Sequence, residues 1–572
     1  MILPPLHLYM NKRSTLYPLL AGFSIFLLAI FSCNNNKGPS GPAFAFSPEE
    51  MKEKTAAYIN DFLSGKNISS ETDSMAIEVK EPKVAEYIYD QNGVTTLWSQ
   101  DKKWLPRGDA LYDFVNNAKQ YGLFPEDYHL AELTTIRDRF IADSLDEGDR
   151  HNALLWSKAD VLFTDAFINV VKDIKLGRLP NDSITLRKDS VLDKEFYEKQ
   201  FAALTKGEGL VKVIESLEPD ERGYHELKKG LKDFLAHADY QNFTKVPSSS
   251  KDPKNYKPLL QKRLFEGGYL ATDSVKADSV QLAEAVKKFQ KEKGLAVDGV
   301  VGEATLRTLN TSDNEKFIRI AISMDKYKLL PEKMPEKYVW VNAAGNYMEV
   351  VEDEEVKLYS KVICGKAKTR TPVLNSAISQ IITYPQWVPP PSIVGKEILP
   401  AVKRDPGYLA KKGFSLLDKD GEEVDPYSVD WSKYSKGIPY RVVQGSGDAN
   451  ALGIMKFHFA NKYSVYLHDT NQRYLFSSPM RSLSHGCVRV QEWQKLAWYI
   501  MENDIGPSGN ESRIDSVKSW LNRKAKKYVS IKKTLPVFIR YMTCSGQDGK
   551  IVFYDDPYNE DEMLSQQYFA GK

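Results

Sequence analysis

The chain has 572 residues, 42% hydrophobic and 27% charged, with a formal net charge of +2. That length exceeds one hydrophobic core and implies about three or four domains, while the composition excludes a disordered chain. So small a net charge sets up no global field for nucleic acid or a membrane surface; the Lys/Arg-rich stretch over 513–533 and the acidic one over 555–562 read as solvated faces.

From Met10 the chain runs through Asn11-Lys12-Arg13 into an apolar stretch, Leu16 to Ser32, that ends at Cys33. A basic start and an apolar run too short to span a bilayer comfortably fit an export signal over 1–33, with an uncleaved anchor as the other reading. Residues 34–46, rich in Asn, Gly and Pro, read as a flexible tether. Residues 47–245 read as helical. Val161, Leu162, Phe163, Ala166, Phe167, Val170 and Val171 follow a 3.6-residue period, and Gly177 and Pro180 stop that helix. His129, His151, His225 and His237 are scattered there and read as surface or capping residues.

Residues 246–256, rich in Ser, Lys, Asp and Pro, mark a linker. The segment 257–312 then reads as a small three-helix module. Its helices lie around Leu260–Leu264, Leu282–Lys293 and Thr305–Asn310, with glycines at 267, 268, 294, 299 and 302 to end helices and shape turns. A further helix is expected within 311–335. From Tyr338 the period changes to two, which predicts strands at 338–342, 347–351, 358–364, 378–383, 456–459, 464–467, 537–541 and 551–554. Trp493, Leu496, Ala497 and Ile500 predict a helix after Val490. The fold class is therefore multidomain α+β: helices first, then a β-rich domain over 336–556, and an acidic tail over 557–572.

The chemistry lies in Ser484-His485-Gly486-Cys487, with Val488-Arg489-Val490 after it and His468 upstream. A cysteine is nucleophilic as thiolate and needs a base or a positive field beside it. A histidine offers a proton acceptor near neutrality. Gly486 permits a tight turn that presents backbone N–H groups to a reacting carbonyl. Arg489 offers a planar fork for a peptide carboxylate, or a structural salt bridge. A helix N-terminus just beyond Cys487 would also favour a thiolate. A zinc set of His458, His468, His485 and Cys487 is the competing reading. It lacks the short paired spacing of metal sites and would quench the thiolate, so neither metal nor cofactor is called for. Cys364 and Cys544 are expected as buried thiols rather than a disulfide.

His468, fifteen residues, then Ser-His-Gly-Cys-Val-Arg resembles the signature of the L,D-transpeptidases, cysteine enzymes that cross-link peptidoglycan. Gly365-Lys366, Thr371-Pro372, Trp387-Val388-Pro389-Pro390, Asp405-Pro406-Gly407 and Asn450-Ala451-Leu452-Gly453 extend the likeness over 336–556. The 387–444 insert is similar to the capping lid of the family's long subgroup. The helical 47–245 resembles that subgroup's scaffold. The spacing Asp298-Gly299, Gly302, Thr305 resembles a peptidoglycan-binding domain, and Ile30-Phe31-Ser32-Cys33 a bacterial lipobox.

The resemblance implies Cys487 as nucleophile and His468 as base. His468 would be oriented by the backbone carbonyl of Asp469, whose carboxylate should point to the opposite strand face. It places Ser484, His485, Tyr466, Trp387 and Arg489 along the substrate groove and lipid on Cys33. The implied donor is a tetrapeptide stem whose third residue is a diamino acid. The implied partners are peptidoglycan stem peptides and glycan, with a membrane held through the N-terminal lipid or anchor, and no nucleic acid. An amine acceptor gives a 3→3 cross-link, water an L,D-carboxypeptidase, and an inert site a passive wall-tethering lipoprotein. Such substrates place the protein outside the cytoplasm, in the periplasm.

Overall fold

The computed structural model describes residues 43–572 except 67, 71–72, 76, 101–102, 145–150 and 272–277. The expected signal, Cys33 and most of the tether lie outside the described residues. No helix among the described residues is long and apolar enough to cross a membrane.

The helical region is built around Ala153–Lys175, a helix buried on nearly every side. Its apolar period is broken by Asp160 and Asp165, both fully buried. Each carboxylate is satisfied. Asp160 accepts from Tyr89 Oη at 2.7 Å and from the N–H of Trp98 at 2.9 Å. Asp165 accepts from Lys80 N–H and sits 2.8 Å from His129 Nε2. His129 is therefore tied to an interior carboxylate, where the sequence suggested a surface or capping role.

The small module has three helices, Pro253–Glu266, Ser279–Glu292 and Glu303–Asn310, around Leu260, Leu264, Val286, Phe289 and Leu309. The expected linker enters this core. Val246 is 2% exposed, and its backbone pairs with the Asn310 side chain in both directions. The helix Asp313–Tyr327 follows, started by a capping box between Ser312 and Glu315.

The β-rich region has nine principal strands: β1 (Lys337–Asn342), β2 (Tyr347–Glu352), β3 (Glu355–Gly365), β4 (Leu374–Thr383), β5 (Met455–Phe459), β6 (Leu467–His468), β7 (Ser482–Ser484), β8 (Val488–Val490) and β9 (Lys527–Arg540). Their order is β7-β3-β8-β6-β5-β4-β9-β1-β2, and β2 pairs again with β3, so eight strands close into a ring and β7 lies at its edge. The ring has no free edge over those eight strands. Inward residues Val341, Val350, Val362, Ile381, Phe457, Leu467, Val488, Val490 and Val537 form one core with Leu496 and Ile500 of the helix Trp493–Glu502.

The outer faces of β1, β2 and the C-terminal end of β9 are covered by helices. Tyr338, Trp340, Val351 and Phe538 pack against the helices Arg222–His237 and Asp313–Tyr327. Arg222 also reaches Glu349 of β2 at 2.9 Å. Residues 557–572, expected as an acidic tail, instead hold the helix Glu560–Tyr568. Phe569 joins the same interface core, Lys326 meets Glu560 at 2.8 Å, and Arg319 meets Asp561. Apolar Tyr558 and Phe569 pull that acidic run onto basic side chains of the preceding helix.

Candidate active site

One side of the ring is welded to the helices; the outer face of β4, β5, β6 and β8 carries the residues of the candidate site. Period two does the placing. Leu467 and Val488 point into the core, so their neighbours point outward. The β6–β8 pairing is parallel, with Leu467 opposite Val488 and His468 opposite Arg489. Tyr466 therefore lies beside Cys487, one position earlier. Across β5, His468 is opposite Lys456. The row Lys456, His468, Arg489 thus runs next to the row His458, Tyr466, Cys487. Residues up to 33 positions apart in sequence share one patch only because of this register.

The turn 485–487 is fixed by a staple and a brace. Ser484, 3% exposed, donates its hydroxyl to the Cys487 carbonyl at 2.6 Å and accepts from the Gly486 N–H at 3.0 Å. Thr371 Oγ1 donates to the Gly486 carbonyl at 2.9 Å and accepts from Gly365 N–H. Tyr558 closes the brace by accepting from Thr371 N–H at 3.0 Å and donating to Gly365 O at 2.9 Å. Gly486 sits at φ +117°, a conformation open to glycine. With the Gly486 N–H spent on Ser484, the N–H groups of His485 and Cys487 are the open donors of this turn among the described residues, and the second belongs to the residue that carries the thiol.

The site is electropositive. Burial, then the charges of Arg489 and Lys456, push His468 down to about 3, against the raising effect of the Asp469 and Leu452 backbone. The Cys487 thiol is raised by burial, which the hydrogen-bonding neighbour Tyr466 and the cations Lys456 and Arg489 oppose. The resting pair is therefore neutral thiol and neutral imidazole. His468 is 4% exposed, with Nδ1 lacking a hydrogen-bond partner. Burial also raises Tyr466, whose ring lies edge-on to His468 at 5.6 Å and beneath Lys456 Nζ at 3.8 Å. Arg489 donates to Gln472 Oε1 at 2.9 Å and forms no ion pair among the described residues, so the salt-bridge alternative is not what it does.

The insert folds on its own core of Ile398, Leu399, Val402, Leu409, Leu416 and Trp431. Its neck is a two-way backbone pair between Trp387 and Gln444, at 3.1 and 2.7 Å. The insert reaches the turn through Glu397, whose Oε1 lies 2.5 Å from His485 Nε2.

The structure brings together Cys487, Tyr466, His468 and Arg489. It sets Ser484 apart, as a buried staple rather than a groove residue. Gly486 shapes the turn but does not leave its N–H for an oxyanion. The Asp469 carboxylate turns away from His468 to accept from Arg473 Nη2 at 2.6 Å and Ile454 N–H at 3.0 Å. The helix after the turn starts at Trp493, with β8 in between, too far from Cys487 for its N-terminus to act on the thiol. His485 faces the insert. His458, His468, His485 and Cys487 form no metal-holding cluster among the described residues. Cys364 and Cys544 are free and buried. Sequence reasoning missed Lys456, Tyr558 and Glu397, and it named Thr371 only as part of the resemblance, without its role in bracing the turn. The first was visible as the alternate position between Met455 and Phe457; the others have no local signal.

Residues 336–505 match the family described as "L,D-transpeptidase catalytic domain", residues 83–231 the "Scaffold domain", and residues 258–309 the "Putative peptidoglycan binding domain". A curated protein of Haemophilus influenzae named "Putative L,D-transpeptidase" is 33% identical over 247 residues, 43% of this chain and 49% of its own. The chain thus spans about half the length of that relative. Among solved structures, an L,D-transpeptidase of Stackebrandtia nassauensis is 18% identical over 53% of this chain and 96% of that one, with a TM-score of 0.16. One of Mycobacterium smegmatis is 14% identical over 36% and 58%, with a TM-score of 0.17.

Proposed function

We propose that this chain, whose residues 336–505 match the L,D-transpeptidase catalytic domain, joins peptidoglycan stems by 3→3 cross-links through an acyl-enzyme on Cys487. The observation that carries this reading is the register that puts Cys487 and Tyr466, and His468 and Arg489, side by side on one outward face beneath a lid. In the proposed reaction the Cys487 sulfur attacks the carbonyl of the third residue of a tetrapeptide stem as His468 takes the thiol proton. The Cys487 N–H receives the developing oxyanion. Arg489 holds the carboxylate of the terminal D-residue, which leaves as an amine protonated by His468. The side-chain amine of a second stem then attacks the thioester, its proton passes to His468, and the thiol is restored.

The resting protonation states suit a general base, which moves a proton during attack, better than a preformed ion pair. Burial first, and then Arg489 and Lys456, hold His468 down. A donor carboxylate that neutralises them makes the imidazole a stronger base when substrate is present. Docking of residues 258–309 on the wall would raise the local concentration of an immobile polymer. Lipid on Cys33 would fix the enzyme on a membrane facing that wall, outside the cytoplasm.

The test incubates full-length protein with a tetrapeptide stem, with and without an acceptor stem, and resolves products by mass spectrometry. A 3→3 dimer supports the transpeptidase reading. Tripeptide alone makes the enzyme an L,D-carboxypeptidase, and no product from wild type makes the chain a passive tether.

A further inference from the structure

The helix-covered side of the ring holds a cavity of about 360 Å³, bounded by β1, β2 and β3, the helices Arg222–His237 and Asp313–Tyr327, and the hairpin of Cys544–Gln547 with Lys550–Phe553. That volume falls in the range of small-molecule sites. Register builds one wall. Trp340, Glu349 and Tyr359 stand opposite one another on β1, β2 and β3, and Tyr338 and Tyr347 share their outward face. Tyr327 stacks on Trp340, and Tyr347 on Tyr359, each pair at 5.9 Å. The hairpin meets the helix backbone to backbone. A Cβ on Gly546 would strike the Glu226 carbonyl, and one on Gly230 would lie 2.7 Å from the Lys550 carbonyl carbon.

Four carboxylates line this space, those of Glu221, Glu226, Glu349 and Asp548, against one cation, Arg222. Arg222 donates to Glu349 at 2.9 Å. Glu221, 8% exposed, accepts from the Tyr224 N–H at 3.1 Å and from the Tyr338 hydroxyl at 3.5 Å. Burial raises its carboxyl to about 7, although Arg222 and the backbone N–H groups oppose this. A buried carboxylate short of a counter-ion is costly. Glu226 is half-buried and Asp548 exposed, so these two lie nearer the solvent. No three of the four acids converge within reach of one metal ion among the described residues. Carboxylates spread along an aromatic wall suit a ligand with separated positive groups and an aliphatic stem between them.

We infer that this cavity binds a linear aliphatic diamine or polyamine, with one ammonium between Glu221 and Glu349 and a second at Glu226 and Asp548. The site lies on the opposite side of the ring from Cys487 and does not depend on the reaction proposed there. Its occupant would bridge the helical region and the β-rich one.

The experiment is isothermal titration calorimetry of the full chain with cadaverine, spermidine, pentylamine and the uncharged diol analogue of cadaverine. Cadaverine and spermidine are expected to bind saturably, pentylamine more weakly, and the diol not at all. Glu349→Gln keeps an acceptor for Arg222 and should weaken all three amines by about tenfold, the size of one charge-assisted hydrogen bond. Asp548→Asn should weaken cadaverine by about threefold, the size of an exposed ion pair, and leave pentylamine unchanged. Diol binding equal to that of cadaverine overturns the inference, as does the absence of saturable amine binding. Undiminished cadaverine affinity in both variants puts the amine elsewhere, the groove at Cys487 included, and the inference fails. Should Glu349→Gln not fold, Asp548→Asn with the pentylamine comparison decides.

Discussion

Ser484→Ala removes one oxygen and leaves two backbone groups of the catalytic turn without partners. The Cys487 carbonyl loses a 2.6 Å hydrogen bond and the Gly486 N–H a 3.0 Å one, both in a buried setting. An unsatisfied buried polar group costs about 1–3 kcal/mol. The turn can recover part of that only by letting water in or by relaxing Gly486 from its positive φ, a conformation held by its surroundings. Either response moves the Cys487 sulfur and N–H relative to His468. A displacement near 1 Å lowers a well-oriented reaction by about 10²-fold. The expected result is a 10- to 100-fold loss in the rate of Cys487 acylation by a tetrapeptide donor, measured by rapid-quench mass spectrometry. Alkylation by a small thiol reagent, which needs no oxyanion donor and little orientation, should fall less than about threefold. Ser484→Thr keeps the hydroxyl and should recover most of the loss. Wild-type acylation by Ser484→Ala would refute the staple, and an equal fall in alkylation would mean that the thiol itself had been lost from the surface.

His468→Ala should approach the inactivity of a cysteine variant, whereas His485→Ala should retain at least about a tenth of wild-type kcat/KM; steady-state rates on a soluble stem decide between them. Glu397→Gln weakens the contact of the insert with His485. Tripeptide should then rise relative to cross-linked dimer by about threefold, read from product ratios, because a looser lid admits water. Glu221, 8% exposed at the start of the helix Arg222–His237, has its carboxyl raised to about 7 by burial. Its unfolded value is about 4.3, so between these values the folded state binds the extra proton and stability falls as pH rises. The loss is on the order of 3 kcal/mol across that window. Urea midpoints at pH 5 and pH 8 should therefore converge in Glu221→Gln, and an unchanged difference would remove Glu221 from the account.

Cys487 and His468, the proposed nucleophile and base, were singled out because both stand in short runs of residue types that serve little else, and the strand register brings them onto one face. Helix and strand periods were legible where one face is buried: Met455–Phe459 and Trp493–Glu502 fall where alternation and 3.6-residue spacing put them. Other features depend on pairing between distant segments. Lys456 became a site residue through its register against His468, and no property of Met455-Lys456-Phe457 names that partner. Ser484 read as a groove residue because its motif carries chemistry; its burial follows from β7 running beside β3. The last sixteen residues read as a tail because Glu560, Asp561 and Glu562 stand together there, while the buried aromatic residues Tyr558 and Phe569 decide where they pack.

The central claim is that Cys487 carries the acyl group. Full-length protein is mixed with a tetrapeptide stem in the absence of acceptor, quenched, digested and analysed by mass spectrometry, alongside a folded Cys487→Ala variant. The account predicts a mass increase equal to the acyl tripeptide on the peptide that contains Cys487, and none in the variant. Product formed by the variant, or an acyl group on any other residue, would contradict it.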